Sequence, residues 1–145
     1  MDIPIDALNE AGESNKDKTE LPIESPNKKL NYVSRLGIFY SILWEKKYGM
    51  KPTISFAQVG KVAKELVIDY QFNEYQIAYL MIMFFDWAGA SGDDEFTRKK
   101  LESSTHSIFM LKLHIDSMRA YSKNRLGVDV DELEQIKPIV DKTIR

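Results

Sequence analysis

The side chains that most often carry chemistry are few in this chain, and they do not form a recognisable catalytic set. The two histidines, His106 and His114, are eight residues apart. On a helix this spacing separates them by more than two turns, too far to share a metal ion. We therefore expect each histidine to be a surface or half-buried side chain. Cysteine is absent, which excludes disulfides, thiolate metal sites and a cysteine nucleophile.

The acidic cluster Asp93, Asp94 and Glu95 has oxygen ligands that a divalent cation would accept, but it lacks the alternating spacing of an EF-hand loop. Helix capping and solubility are the simpler roles for it. The sequence contains no glycine-rich phosphate loop, no zinc-protease motif and no nucleophile elbow. We predict that the protein is not an enzyme, with no catalytic residues, no metal site and no cofactor.

Aromatic and basic residues at the ends of two predicted helices are the candidate binding residues. Such residues can stack on the bases of a single strand and neutralise its phosphates. Alternatively, the aromatic rings complete the core with their polar atoms in water, and the lysines form a solvated rim. The candidates are Trp44 with Lys46, Lys47 and Lys51, and Trp87 with Arg98, Lys99 and Lys100.

The element that must position these residues is the stretch 76–87, in which ten of twelve residues are apolar or aromatic. A helix that is apolar nearly all round is either a membrane span or the centre of a core. Twelve residues give about 18 Å of helix, whereas a bilayer needs about 20 residues. We therefore predict a central core helix and no membrane association.

Apolar residues recurring at three- and four-residue steps predict an all-α fold. We expect a compact orthogonal bundle of four main helices and a short C-terminal helix. Capping-box patterns at Ser55 and Asn73 mark two helix starts, and Gly37 indicates a close helix crossing. The helices are predicted from residue 27 or 28 to 48, from 56 to 70, from 74 to 88, from 105 to 123 and from 131 to 143, with Pro138 breaking or kinking the last.

Charge divides the chain into an acidic tail and a helical domain. Residues 1–25 carry seven acidic side chains against two lysines, and residues 26–125 carry a net charge of +5. We predict a disordered tail over residues 1–26 and one helical domain over residues 27–145, located in the cytoplasm. The apolar exceptions in the tail suit a short docking segment that orders on a partner; they are Ile3, Ile5, Leu8, Leu21 and Ile23.

The order of features over residues 35–121 resembles a helical module of phage and mobile-element replication proteins, of the replisome-organiser or helicase-loader type. The resemblance is carried by residues 44–52 (WEKKYGMKP), by residues 60–66 (GKVAKEL), by residues 74–87 ending in FFDW, and by residues 106–118 (HSIFMLKLHIDSM). Members often carry a winged-helix DNA-binding region before this module, whereas here an acidic tail takes that place.

The resemblance implies a non-enzymatic protein that binds DNA, single-stranded or duplex, or a replicative helicase or other replication protein. Two other classes stay open from the residues themselves. One is a host-directed inhibitor or adaptor whose acidic tail docks into a basic site, and the other is a structural virion component. The sequence does not specify an oligomeric state.

Overall fold

Six α-helices make up the described part of the chain, which confirms the all-α prediction. The computed structural model describes residues 19–27, 29–52, 55–90, 99, 102 and 106–145, and contains no β-strand among them. The helices are α1 (Tyr32–Tyr48), α2 (Phe56–Tyr70), α3 (Glu74–Ala90), α4 (Ile108–Leu113), α5 (Ile115–Leu126) and α6 (Leu133–Ile144).

The predicted central helix, α3, is buried on all sides over its apolar run. Every residue from Ile77 to Phe85 is at most 6% exposed, and α1, α4, α5 and α6 all pack against α3. Helix α2 packs instead on α1 and α4. Because an apolar run of this kind has no solvent-tolerant face, the other helices must enclose it.

A close crossing between α1 and α2 depends on two glycines. A Cβ atom at Gly37 would lie 3.1 Å from the ring of Phe56, and one at Gly60 would lie 2.6 Å from Val33 Cγ1. The second distance is shorter than side-chain packing allows, so the two helix backbones approach closely only because Gly60 has no side chain. The crossing predicted from Gly37 is confirmed.

Helix α3 begins with the predicted reciprocal capping box. The Asn73 side chain accepts a hydrogen bond from Gln76 N at 2.9 Å, and the Gln76 side chain accepts one from Asn73 N at 2.8 Å. These bonds satisfy backbone donors that the first turn of a helix leaves free. The equivalent prediction at Ser55 is wrong, because the Ser55 side chain makes no capping hydrogen bond.

The structure corrects the predicted helices in several places. Helix α1 begins at Tyr32, since Asn31 caps it by accepting from Ser34 N. The predicted helix from 105 to 123 is two helices separated by a turn at His114, whose ψ of 17° departs from helical geometry. Helix α3 continues through Gly89, and α6 continues through Pro138 without a break.

A buried ion pair joins the start of α3 to α1. Arg35 and Glu74 are each 7% exposed, and the guanidinium donates twice to the carboxylate, at 2.9 and 2.8 Å. A third guanidinium nitrogen donates to the Leu30 carbonyl. The hydrogen bond to Glu74 raises the pKa of Arg35 despite burial, so the guanidinium keeps its charge and its donors are satisfied inside the protein.

The segment before α1 is attached to this ion pair. Leu21 is 3% exposed within the core, and its backbone N–H donates to Glu74 at 2.7 Å. Glu20 lies 3.7 Å from the Arg35 guanidinium. The prediction that the disordered tail extends to residue 26 is therefore wrong for this stretch, and Leu21 docks on its own domain. Residues 1–18 lie outside the described residues.

Replacement of Phe84 by alanine should lower the free energy of unfolding by about 3–5 kcal/mol, because it leaves a cavity in place of a fully buried ring. Ile68→Ala is the control, since that side chain is 75% exposed and its removal should cost at most about 0.5 kcal/mol. Urea unfolding measures both values, and equal losses would contradict the central position of α3.

Glu74→Gln should cost about 3–5 kcal/mol, because it leaves the Arg35 charge buried without its carboxylate. The double variant Arg35→Met/Glu74→Leu removes both charges and should lose less stability than the single variant. Guanidinium unfolding of the three proteins provides the comparison. A single variant within about 1 kcal/mol of the wild type would show that the ion pair does not hold this corner of the fold.

Candidate binding site at the C-terminal end of α1

Three of the predicted binding lysines lie together at the C-terminal end of α1. Lys46 and Lys47 occupy its last turn, and Lys51 follows two residues after the left-handed Gly49 that ends the helix. All three are exposed. Lys46 donates to the Thr143 carbonyl at 2.7 Å, and none of the three forms an ion pair within the described residues. Their charge is therefore available to an anionic ligand.

The two tryptophans belong to the core and its edge. Trp87 is 8% exposed, and its ring centroid lies 5.2 Å from that of His114. Trp44 is half-buried, packs against the core and lies 4.5 Å from the Tyr48 ring. This arrangement matches the alternative in which the aromatic rings complete the core, and it leaves Trp87 without an open face for a base.

The second basic set is described only in part. Lys99 is exposed, while Arg98 and Lys100 lie outside the described residues, as does the acidic cluster at 93–95. The meeting of the two basic sets at one end of the bundle therefore stays a prediction.

A cavity of about 620 Å³ opens beside Lys46 and Lys47, and no sequence pattern indicates it. Its apolar lining comes from Leu43, Ile82 and Phe85, and its polar lining from Asp86, Tyr121 and Thr143. Helices α1, α3, α5 and α6 each contribute, so residues far apart in sequence form it. The one sequence feature that could have indicated the cavity is Asp86, the single charged residue in the apolar run 76–87.

The electrostatics of this cavity are mixed. Asp86 is exposed, yet the surrounding protein removes enough water from its carboxyl group to raise its pKa, and the nearby Lys47 opposes that rise. The ring of Tyr121, which lines the cavity, also has the Arg125 guanidinium 5.8 Å from its centre. The cavity thus combines cationic donors, a carboxylate acceptor and an apolar floor.

His106 contradicts the expectation of a surface or half-buried side chain, because it is fully buried. Its ring stacks on Phe85 with centroids 4.7 Å apart, and its Nδ1 lies 2.5 Å from the Tyr48 hydroxyl. Its Nε2 has no hydrogen-bond partner in the described part of the chain. His106 also has a φ of 51°, in the left-handed region that side chains other than glycine seldom adopt.

Burial, together with the smaller effect of the nearby Lys47 charge, lowers the pKa of His106 to about 4. A second N–H on the imidazolium would also lack an acceptor at Nε2. His114 is half-buried, as expected. The burial of His106 depends on Phe84 and Phe85 of α3 and on Tyr48 of α1. The sequence did not predict it, because the apolar periodicity around residue 106 carries no information about these distant side chains.

Within the described residues, no three His, Asp or Glu side chains are grouped as a metal site. None of the helices there combines the length and apolar character needed to cross a bilayer. Comparison of the chain with protein-family models, with curated proteins and with solved structures gave no match. The resemblance to replication proteins therefore stays a prediction, and the function is inferred from the site itself.

The wild type should lose stability as the pH falls from about 6.5 to about 4. In this window the unfolded chain binds a proton at His106 and the folded protein does not, so unfolding becomes more favourable by up to about 1.4 kcal/mol per pH unit. Above pH 6.5 the proton is absent from His106 in the folded and in the unfolded chain alike, so the protein keeps its full stability there. His106→Asn, a residue that tolerates positive φ, should lack this dependence.

The measurement is urea unfolding of both proteins at pH 7, 6, 5 and 4.5. The difference in free energy between wild type and His106→Asn should shrink by about 2–3 kcal/mol over that range. A difference that stays constant would show that folded His106 accepts a proton as readily as the unfolded chain does.

Proposed function

We propose that this chain is a non-enzymatic binding protein of phage or mobile-element DNA transactions, and that it contacts DNA through Lys46, Lys47 and Lys51. The observation that carries the proposal is the position of these lysines: exposed, adjacent and without ion pairs in the described region. Phosphate contacts of this kind supply affinity that depends on salt and not on base sequence.

Two features set the expected strength of binding. Residues 19–145 carry a net charge of only +1, so the protein lacks the broad basic surface of a strong duplex binder. Residues 1–18 carry a net charge of −3, and they should compete with DNA for the lysines. We therefore expect weak binding at low salt, and tighter binding once residues 1–18 are removed.

Replacing Lys46, Lys47 and Lys51 by glutamine should weaken DNA binding and flatten its salt dependence by about 0.7–0.9 log unit for each phosphate that the variant no longer neutralises. Fluorescence anisotropy on single- and double-stranded oligonucleotides over a salt series measures both effects. The matched control replaces Lys29, Lys61 and Lys64, which are exposed elsewhere and remove the same charge. An equal loss of affinity in both variants would contradict a local site.

A protein partner is the second candidate, as for a host-directed adaptor, and the exposed apolar residues of α2 and α4 favour it. Ile68 and Leu113 are 75% and 72% exposed, and the ion pair between Lys112 and Asp69, at 2.7 Å, joins the two helices beside them. Apolar residues exposed together favour protein contacts over nucleic acid. No DNA binding at tens of micromolar, with or without residues 1–18, would select this candidate.

A further inference from the structure

The cavity beside Lys46 and Lys47 has the composition of a site for one small amphipathic group. Its volume of about 620 Å³ falls within the range of about 300–1,000 Å³ that is usual for small-molecule pockets. Its apolar floor is formed by side chains fixed in the core, since Leu43, Ile82 and Phe85 are each 6–7% exposed. A flat group resting on this floor would meet a surface that is already rigid.

The polar groups at the cavity offer a ligand two kinds of hydrogen-bonding partner. Lys46 and Lys47 supply cationic donors, and Lys46 is held at the rim by its hydrogen bond to the Thr143 carbonyl. That bond uses one of three ammonium donors and leaves two for a ligand. Asp86 supplies a carboxylate acceptor in the same cavity, and Tyr121 supplies a hydroxyl group.

The combination of two lysines, one carboxylate and an apolar floor favours some classes of ligand over others. An acidic peptide would gain from the lysines, but its carboxylates offer Asp86 no hydrogen-bond donor and offer the apolar floor no flat ring. A purely apolar molecule would displace the water around Asp86 and Lys47 and leave them without partners, and it would leave Lys46 only its bond to the Thr143 carbonyl. A nucleotide satisfies all three, because it has an anionic phosphate, a flat ring and, on most bases, an exocyclic amino group that donates hydrogen bonds.

We propose that this cavity receives the base of an unpaired nucleotide, with Asp86 accepting from the base amino group and Lys46 and Lys47 holding the adjacent phosphates. This inference rests on the proposed DNA binding and specifies the form of the DNA, which is single-stranded. A base within a duplex is paired and stacked, so it cannot reach the cavity unless it leaves the helix.

The base preference follows from Asp86. Cytosine presents an amino group that a carboxylate accepts, whereas thymine presents in its place a carbonyl oxygen that repels it. Oligo-dC should therefore bind more tightly than oligo-dT of the same length, by about tenfold, which is the contribution expected of one hydrogen bond to a charged group. An abasic oligonucleotide should bind no better than oligo-dT.

The experiment measures anisotropy of labelled oligo-dC, oligo-dT, abasic and duplex DNA with the wild-type protein and with Asp86→Asn. The variant should bind oligo-dT more tightly than the wild type does, because the carboxylate that repels the thymine oxygen is gone, and it should lose the preference for oligo-dC. Asp116→Asn is the matched control, since Asp116 is exposed on α5 away from the cavity lining, and it should keep the preference. Competition by dCMP distinguishes a free nucleotide from a strand as the occupant.

The outcomes separate this inference from the proposed function. Equal binding of all four DNAs, abolished by the triple lysine variant, would leave the phosphate contacts in place and overturn base insertion into the cavity. A preference for oligo-dC that persists in Asp86→Asn would also overturn it. If no DNA binds to the wild type, both proposals fail. Loss of the preference only in Asp86→Asn supports the base site.

Discussion

Helix α3 imposes the constraint on which the rest of the structure depends. Its run from Ile77 to Phe85 has no polar face, so it is stable in water only when protein covers it on every side. Four helices provide that cover. Helix α2 is the exception: it packs on α1 and α4 instead, and its closeness to α1 relies on Gly60. The arrangement of the bundle is therefore largely a solution to the burial of one helix.

The ion pair between Arg35 and Glu74 fixes where that helix begins. Burial of apolar surface has no direction, so it does not by itself determine the register of one helix against another. A guanidinium and a carboxylate joined by two hydrogen bonds do determine this register, because the two groups must lie in one plane at set distances. The same carboxylate also holds Leu21 N–H. One buried charge pair thus positions α1, α3 and the segment before α1 relative to each other.

The parts of the fold that depend on local pattern were predictable, and the parts that depend on distant partners were not. Periodicity identified the main helices, and the Asn73 capping box was correct because it lies within four residues. The break at His114 and the burial of His106 and Leu21 depend on rings and charges that other helices supply. The same difference between local and distant determinants explains which parts of the site were predictable. The lysines follow from the end of α1, whereas the cavity requires four helices together.

The position of the site follows from Asp86, the one charged residue in the apolar run 76–87 of α3. Asp86 interrupts an apolar run, so the fold must leave it at the surface or supply a buried partner. The structure places it at the rim of the cavity, near Lys47, where α1, α5 and α6 meet one side of α3. Water is partly excluded there, which strengthens interactions between charges. Burial of the core thus brings the Asp86 carboxylate, the two lysines and an apolar floor to one place. These residues come from separate stretches of the sequence.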